Sequence, residues 1–108
     1  MKYMMFVCTD TEPETELAAP DIFEWVAEND ANGRRVAGNQ LVSPEAATTV
    51  RVRGGELLLT DGPFAETKEL IVGFDILECA DLDEAIEVAR KHPMAWNGRL
   101  ELRPYHGE

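Results

Sequence analysis

The chain has 108 residues, with 10 Lys and Arg against 21 Asp and Glu, for a formal net charge of −11. That balance excludes the ordinary route to nucleic acid or to an anionic membrane surface, because both need a cationic footprint. With 44% apolar residues, it reads as one folded domain over 1–108 around a single core rather than an acidic disordered segment.

The first predicted element is Tyr3–Cys8, a short apolar run that suits a strand buried on both faces. A loop with four acids and Pro13 follows. Pro20 then falls where a first helical turn belongs, and Asp21 and Glu24 suit the positive end of a helix dipole. Ile22, Phe23 and Val26 make an apolar side, and Asn32-Gly33 supplies a stop, so a helix is expected over about 20–31. Val36–Val42 is weakly strand-like and ends at Ser43-Pro44.

The sharpest local signal comes next. Thr48–Arg53 and Glu56–Thr60 flank Gly54-Gly55, and two glycines that accept positive φ are strong hairpin chemistry. Counting back from the turn pairs Arg53 with Glu56, Val52 with Leu57, Arg51 with Leu58 and Val50 with Leu59. This register matches apolar with apolar on one face.

Leu70–Cys79 is a second long strand, with Val72, Phe74 and Ile76 alternating against Ile71, Asp75, Leu77 and Cys79. Asp81 and Glu84 form a capping-box pattern for a second helix, with Leu82, Ala85, Ile86 and Ala89 as its stripe. Pro93 ends that helix by about His92. Gly98–Pro104 closes the chain as a strand. The order β-α-β-β-β-β-α-β predicts an α+β fold, a ferredoxin-like sandwich with an inserted hairpin. Because both faces of 70–79 are apolar, a homodimer with sheets packed face to face is expected.

Charge is unevenly spread. Arg34, Arg35, Arg51 and Arg53 face only Glu45 within 34–55, either as a solvated strand pair or as the surroundings of an anionic ligand. Cys8 and Cys79 are too few for a disulfide framework or a zinc site, and both read as small buried hydrophobes. There is no secretory leader pattern and no apolar run of 18 residues, so a cytoplasmic location and no membrane contact are expected. No nucleotide fingerprint, phosphate loop, nucleophile triad or metal-ligand spacing is present, so neither a cofactor nor a metal is expected.

Asp61-Gly62-Pro63-Phe64-Ala65-Glu66-Thr67-Lys68-Glu69 is rigid turn chemistry followed by a polar run. The same string resembles the signature of the DGPF-type proteins of the YCII-related family, and the likeness extends over nearly the whole chain. Met1-Lys2-Tyr3-Met4, Thr48–Arg53, Gly73-Phe74, Asp81–Ala85 and Gly98 with Glu101–Pro104 resemble that family's other segments in order. The resemblance implies a dimeric α+β barrel with a polar cleft, and in some members a His–Asp pair proposed as catalytic. A few relatives act on chlorinated aromatic or lactone-like rings, and members occur beside extracytoplasmic-function sigma factors. The resemblance therefore also implies an alternative role as a non-catalytic partner linked to a sigma factor.

Within this chain, His92 falls on the core-facing stripe near the end of the second helix. It is either a helix-end residue favoured by the dipole or a general acid or base titrating near neutrality. By resemblance Asp61 is its partner; its plain alternative is to fix the turn after the hairpin. Asp75 interrupts an apolar strand, so it must face solvent, pair with a base or line a cavity with a raised pKa. Lys68 is either part of a self-paired polar loop or a holder of a ligand carboxylate. Arg51 belongs to the cationic stretch. Phe64, Phe74, Trp25 and Trp96 are either core or the lining of an aromatic-accepting pocket. The expected chemistry is binding, and acid–base isomerisation or elimination, of a small cyclic acid or lactone, with His92 and Asp61 as the acting pair.

Overall fold

The computed structural model describes residues 1–14, 18–62 and 70–107. Strand β1 spans Lys2–Cys8, helix α1 Ile22–Ala31 and strand β2 Arg35–Gln40. A single 3-10 turn at Pro44–Ala46 precedes strands β3, Thr48–Arg53, and β4, Glu56–Asp61. Strand β5 spans Ile71–Glu78, helix α2 Leu82–Arg90, helix α3 Met94–Asn97 and strand β6 Arg99–Pro104.

Four strands form one antiparallel sheet in the order β2-β5-β1-β6, and β3 pairs with β4 as a separate two-stranded sheet. This is an α+β architecture compatible with a ferredoxin-like arrangement, the hairpin being inserted between β2 and β5. The hairpin register is the one the Gly54-Gly55 turn dictates: Val50 faces Leu59, Val52 faces Leu57 and Arg53 faces Glu56. Both glycines have positive φ, 58° and 79°, which a side chain would strain.

Alternation along β1 and β5 assigns the two faces of the sheet. Tyr3, Met5 and Val7 are buried with Leu77 against Trp25 of α1 and Ala85, Val88 and Ala89 of α2. Met5 and Leu77 are wholly removed from solvent, each worth about 1.5–3 kcal/mol of burial. On the helix-free side, Met4 lies opposite Ile76 and Phe6 opposite Phe74, and all four stay half-buried. The expectation that β1 is buried on both faces therefore holds for its helix side only.

Capping decides where the helices begin. The Asp21 carboxylate accepts the backbone N–H groups of Phe23, at 2.7 Å, and Glu24, at 3.4 Å, so Asp21 is the cap and Pro20 lies outside the first turn. Asp81 accepts the N–H of Glu84 at 2.9 Å, and the Glu84 carboxylate accepts the N–H of Ala80 at 3.2 Å. Helix α2 stops at Arg90, with Lys91 as its cap. Pro93, which lacks the N–H to continue α2, begins the short α3 instead. No helix among the described residues is long and apolar enough to cross a membrane.

Candidate functional site

Strand β2 carries a register shift against β5 between Arg35 and Ala37, so that Arg35 lies opposite Leu77 and Gly38 opposite Asp75. Residues three apart in a regular strand point to opposite faces; the bulge puts Arg35 and Gly38 on the same, helix-covered side. Asp75 emerges there from the middle of β5 and is 6% exposed. Arg35 Nε donates to Asp75 Oδ1 at 2.8 Å, Nη1 to Asp30 Oδ1 at 2.9 Å and Nη2 to the Gly38 carbonyl at 3.0 Å. A Cβ on Gly38 would collide with the Asp75 carboxylate and lie 2.7 Å from the Phe74 carbonyl. Glycine at position 38 is thus what lets the carboxylate come down beside the strand.

His92 sits in the link between α2 and α3 rather than on the stripe of α2, and is 4% exposed. Its Nδ1 accepts the N–H of Met94 at 2.9 Å, which places the ring proton on Nε2. The Trp25 ring meets the imidazole edge-on, with centroids 4.6 Å apart and planes at 72°. Trp25 is itself held by donation from Nε1 to the Val88 carbonyl at 2.9 Å. The ring is therefore fixed in position and tautomer, and Nε2 stands 4.0 Å from Asp75 Oδ2.

Burial and the charge of Arg35 lower the His92 pKa from 6.5 to about 4, so the imidazole is neutral at pH 7. Burial raises the Asp75 carboxyl above its ordinary value, and the Arg35 hydrogen bond and charge only partly offset this. For Arg35, burial pulls the pKa down, but the bonds to Asp75 and Asp30 outweigh it and leave the guanidinium more firmly protonated. The result is a cation that cannot leave, a carboxylate more basic than one in water, and a neutral imidazole presenting N–H.

These groups form the polar end of a cleft of about 330 Å³. Its remaining walls are mostly apolar: Val7, Ile22, Val26, Val72, Pro93 and Met94, with Asn39 and Gln40 also lining it. Among the described residues, no group of three or more His, Cys, Asp or Glu is placed to hold a metal ion. Cys8 is half-buried and Cys79 buried.

The structure brings His92 and Asp75 together but not His92 and Asp61. Asp61 ends β4 opposite Thr48, is exposed, and neither lines the cleft nor contacts His92. The reason is topological: Asp61 belongs to the separate hairpin, where Gly62 N–H donates to the Ala47 carbonyl at 2.7 Å and closes its base. Arg51 lies on β3 opposite Leu58, away from the cleft lining. Phe64 and Lys68 fall outside the described residues. Phe74 borders the cleft beside Asp75, but alternation along β5 turns its ring to the helix-free face. Trp25 backs the imidazole, whereas Trp96, on α3, is not part of the lining. Sequence reasoning missed Arg35, Asp30 and Gly38 as parts of the site. The one signal for Arg35 was the charged residue required to compensate Asp75, and nothing local identifies which arginine, since the two are 40 positions apart.

Comparison with known proteins gives a consistent placement. A relative from Rhizobium meliloti (strain 1021), itself an uncharacterised protein, is 48% identical over 67 residues, covering 60% of this chain and 54% of that protein. The chain thus matches about half the length of that curated relative. The family model of the YCII-related domain matches residues 1–106. Nearly every residue of the chain is covered by that match, and the chain belongs to the YCII-related family.

Proposed function

We propose that the cleft over Asp75 and His92 binds a small organic molecule and transforms it by acid–base chemistry. Asp75 acts as the base, and His92 Nε2–H as the hydrogen-bond donor that steadies charge developing on the substrate. The observation that carries this reading is the buried, incompletely paired group at one end of an otherwise apolar cleft. Taking a carboxylate, a guanidinium and an imidazole out of water costs free energy that apolar side chains of similar volume would not. Groups perturbed in this way, in a cleft, are the usual form of an acid–base site.

The division of labour follows from the hydrogen bonds. His92 cannot act as an imidazolium acid near pH 7, because it is neutral there. It cannot readily accept a proton at Nδ1, which the Met94 N–H already occupies. Proton abstraction therefore falls to Asp75, whose raised pKa makes it the better base. In a screen of small cyclic compounds by nuclear magnetic resonance, ligands should shift signals from Val26, Val72, Met94 and His92. Hits that map instead to the hairpin would refute the assignment of the site.

We further propose that two copies of the chain pair through the apolar surfaces that one copy leaves open. Met4, Phe6, Phe74 and Ile76 form the helix-free face of the sheet. On the hairpin, Val50, Val52, Leu57 and Leu59 are 57–62% exposed on a single face. An isolated two-stranded hairpin is marginal in water. Contiguous apolar faces rarely stay uncovered when they exceed a few hundred Å².

A further inference from the structure

The atoms of the site that lack a protein partner define what the cleft recognises. Arg35 uses Nε, Nη1 and Nη2 on Asp75, Asp30 and the Gly38 carbonyl, and Asp75 Oδ1 is taken by that same guanidinium. Three of the five guanidinium N–H donors are thereby used, leaving one on each Nη. The atoms left with no partner at all are Nε2 of His92 and Oδ2 of Asp75, 4.0 Å apart. Among the described residues no buried side-chain nitrogen or oxygen lacks a hydrogen bond, so these two unbonded atoms are accessible. Both belong to residues that line the cleft.

A separation of 4.0 Å is too long for a direct hydrogen bond, but it is the span of one bridging atom. An oxygen about 2.8 Å from each would be bonded at an angle of about 90°, within the range of a hydroxyl that donates one way and accepts the other. The bridging group must accept from Nε2–H and donate to Oδ2. A carboxylate only accepts, and it would meet two carboxylates, Asp75 and Asp30, balanced by one guanidinium. An ammonium only donates and leaves Nε2–H unpaired. A hydroxyl satisfies both atoms without bringing a charge into an apolar cleft.

We propose that the ligand of this cleft is an uncharged molecule whose hydroxyl bridges His92 Nε2 and Asp75 Oδ2 while its apolar body packs on Val26, Val72 and Met94. This rests on the reading of the cleft as a ligand site, and it replaces the cyclic acid or lactone expected from sequence with a cyclic or branched alcohol or enol. A cleft of about 330 Å³ holds roughly ten non-hydrogen atoms at about 30 Å³ each. The hydroxyl proton is the one Asp75 is placed to remove, with the resulting oxyanion accepting from His92 Nε2–H.

The test uses the full chain, isotopically labelled, and four probes of one shape: cyclohexanol, its methyl ether, cyclohexanecarboxylate and cyclohexylammonium. Proton–nitrogen correlation spectra at neutral pH follow the His92 ring and the Gly38 and Gly73 amides. Cyclohexanol is expected to shift the His92 ring saturably and to bind at least about tenfold more tightly than either ion. The ether, which accepts but cannot donate, is expected to lose about tenfold against the alcohol. If an ion or the ether binds as well as the alcohol, the hydroxyl assignment is overturned and the cleft reading stands. If no probe moves the His92 ring, both are overturned.

Discussion

Asp75 Oδ2 and His92 Nε2 face each other across 4.0 Å, and neither is held in place by the other. The Asp75 side chain is set by Arg35, and the His92 ring is set by the Met94 N–H and the Trp25 ring. The gap is thus a built feature. Two separate supports hold an acceptor and a donor just too far apart to satisfy one another. Disturbing either support should change the site without touching the reacting atoms.

Gly38 is the most exacting of these supports. A methyl group there would collide with the Asp75 carboxylate and crowd the Phe74 carbonyl at 2.7 Å. Gly38→Ala is expected to destabilise the fold by about 1–3 kcal/mol, as overpacking of a tight site does, and to displace Asp75 from Arg35. Gly33→Ala, with nothing within 4 Å of its added Cβ, is the companion variant, since it tests only the cost of a positive φ. Urea unfolding should show Gly38→Ala as the less stable of the two.

The Arg35–Asp75 pair should behave as a unit. Arg35→Met leaves a buried carboxylate without its cation and is expected to cost about 3 kcal/mol. Asp75→Leu leaves a half-buried guanidinium with only Asp30 and is expected to cost less. The double variant should cost less than the sum by about 1–3 kcal/mol, the coupling a contact pair shows in a double-mutant cycle. Additive effects would mean that the 2.8 Å contact carries no energy of its own.

Stability should also carry the signature of a histidine kept neutral. The unfolded chain gains the His92 proton near pH 6.5 and the folded chain only near about 4. Above pH 6.5 both states are neutral and the contribution is complete. As pH falls toward 4 the unfolded state alone is protonated, and at most about 3 kcal/mol is lost. Asp75 acts with the opposite sign. Its raised pKa means that the folded state holds a proton longer as pH rises from 3.8, so stability falls over that range. The difference in unfolding free energy between the chain and His92→Gln isolates the histidine part. That difference should shrink steadily from pH 6.5 to 4.5; a flat profile would contradict the burial argument.

Self-association provides a separate prediction. Sedimentation equilibrium at micromolar concentration is expected to show a dimer. The pair Leu57→Lys and Leu59→Lys, at two of the exposed apolar positions of the hairpin, is expected to weaken it at least about tenfold by placing charge in the contact. A monomer for the unaltered chain would remove the assembly proposal while leaving the cleft chemistry untouched.

What could be read in the sequence was what local physics decides. The hairpin register followed from Gly54-Gly55 because a two-residue turn leaves no freedom in pairing, and the Asp81 cap followed from its spacing to Glu84. Asp75 stood out because a carboxylate in an apolar strand needs an explanation. The partners were not legible. Arg35 reaches Asp75 only through a bulge, which no pattern of alternation announces, and Asp61 is carried off on a hairpin that forms its own sheet. His92 was misplaced by a fraction of a turn: Pro93 not only ends α2 but starts α3, and the residue caught between them turns inward. The apolar stripe on the hairpin was recognised correctly, but patterning says that a face is to be covered, not by what.

The most direct measurement is the protonation and tautomer of the His92 ring, read from its two ring-nitrogen shifts between pH 4.5 and 7.5. His106→Gln removes the only other histidine signal. The account predicts a neutral ring with its proton on Nε2 from pH 7.5 down to about 5.5, with imidazolium growing in only below that as pH approaches about 4, and an Nε2 signal that moves when cyclohexanol is added. An imidazolium at pH 6, or a ring protonated on Nδ1, would contradict it.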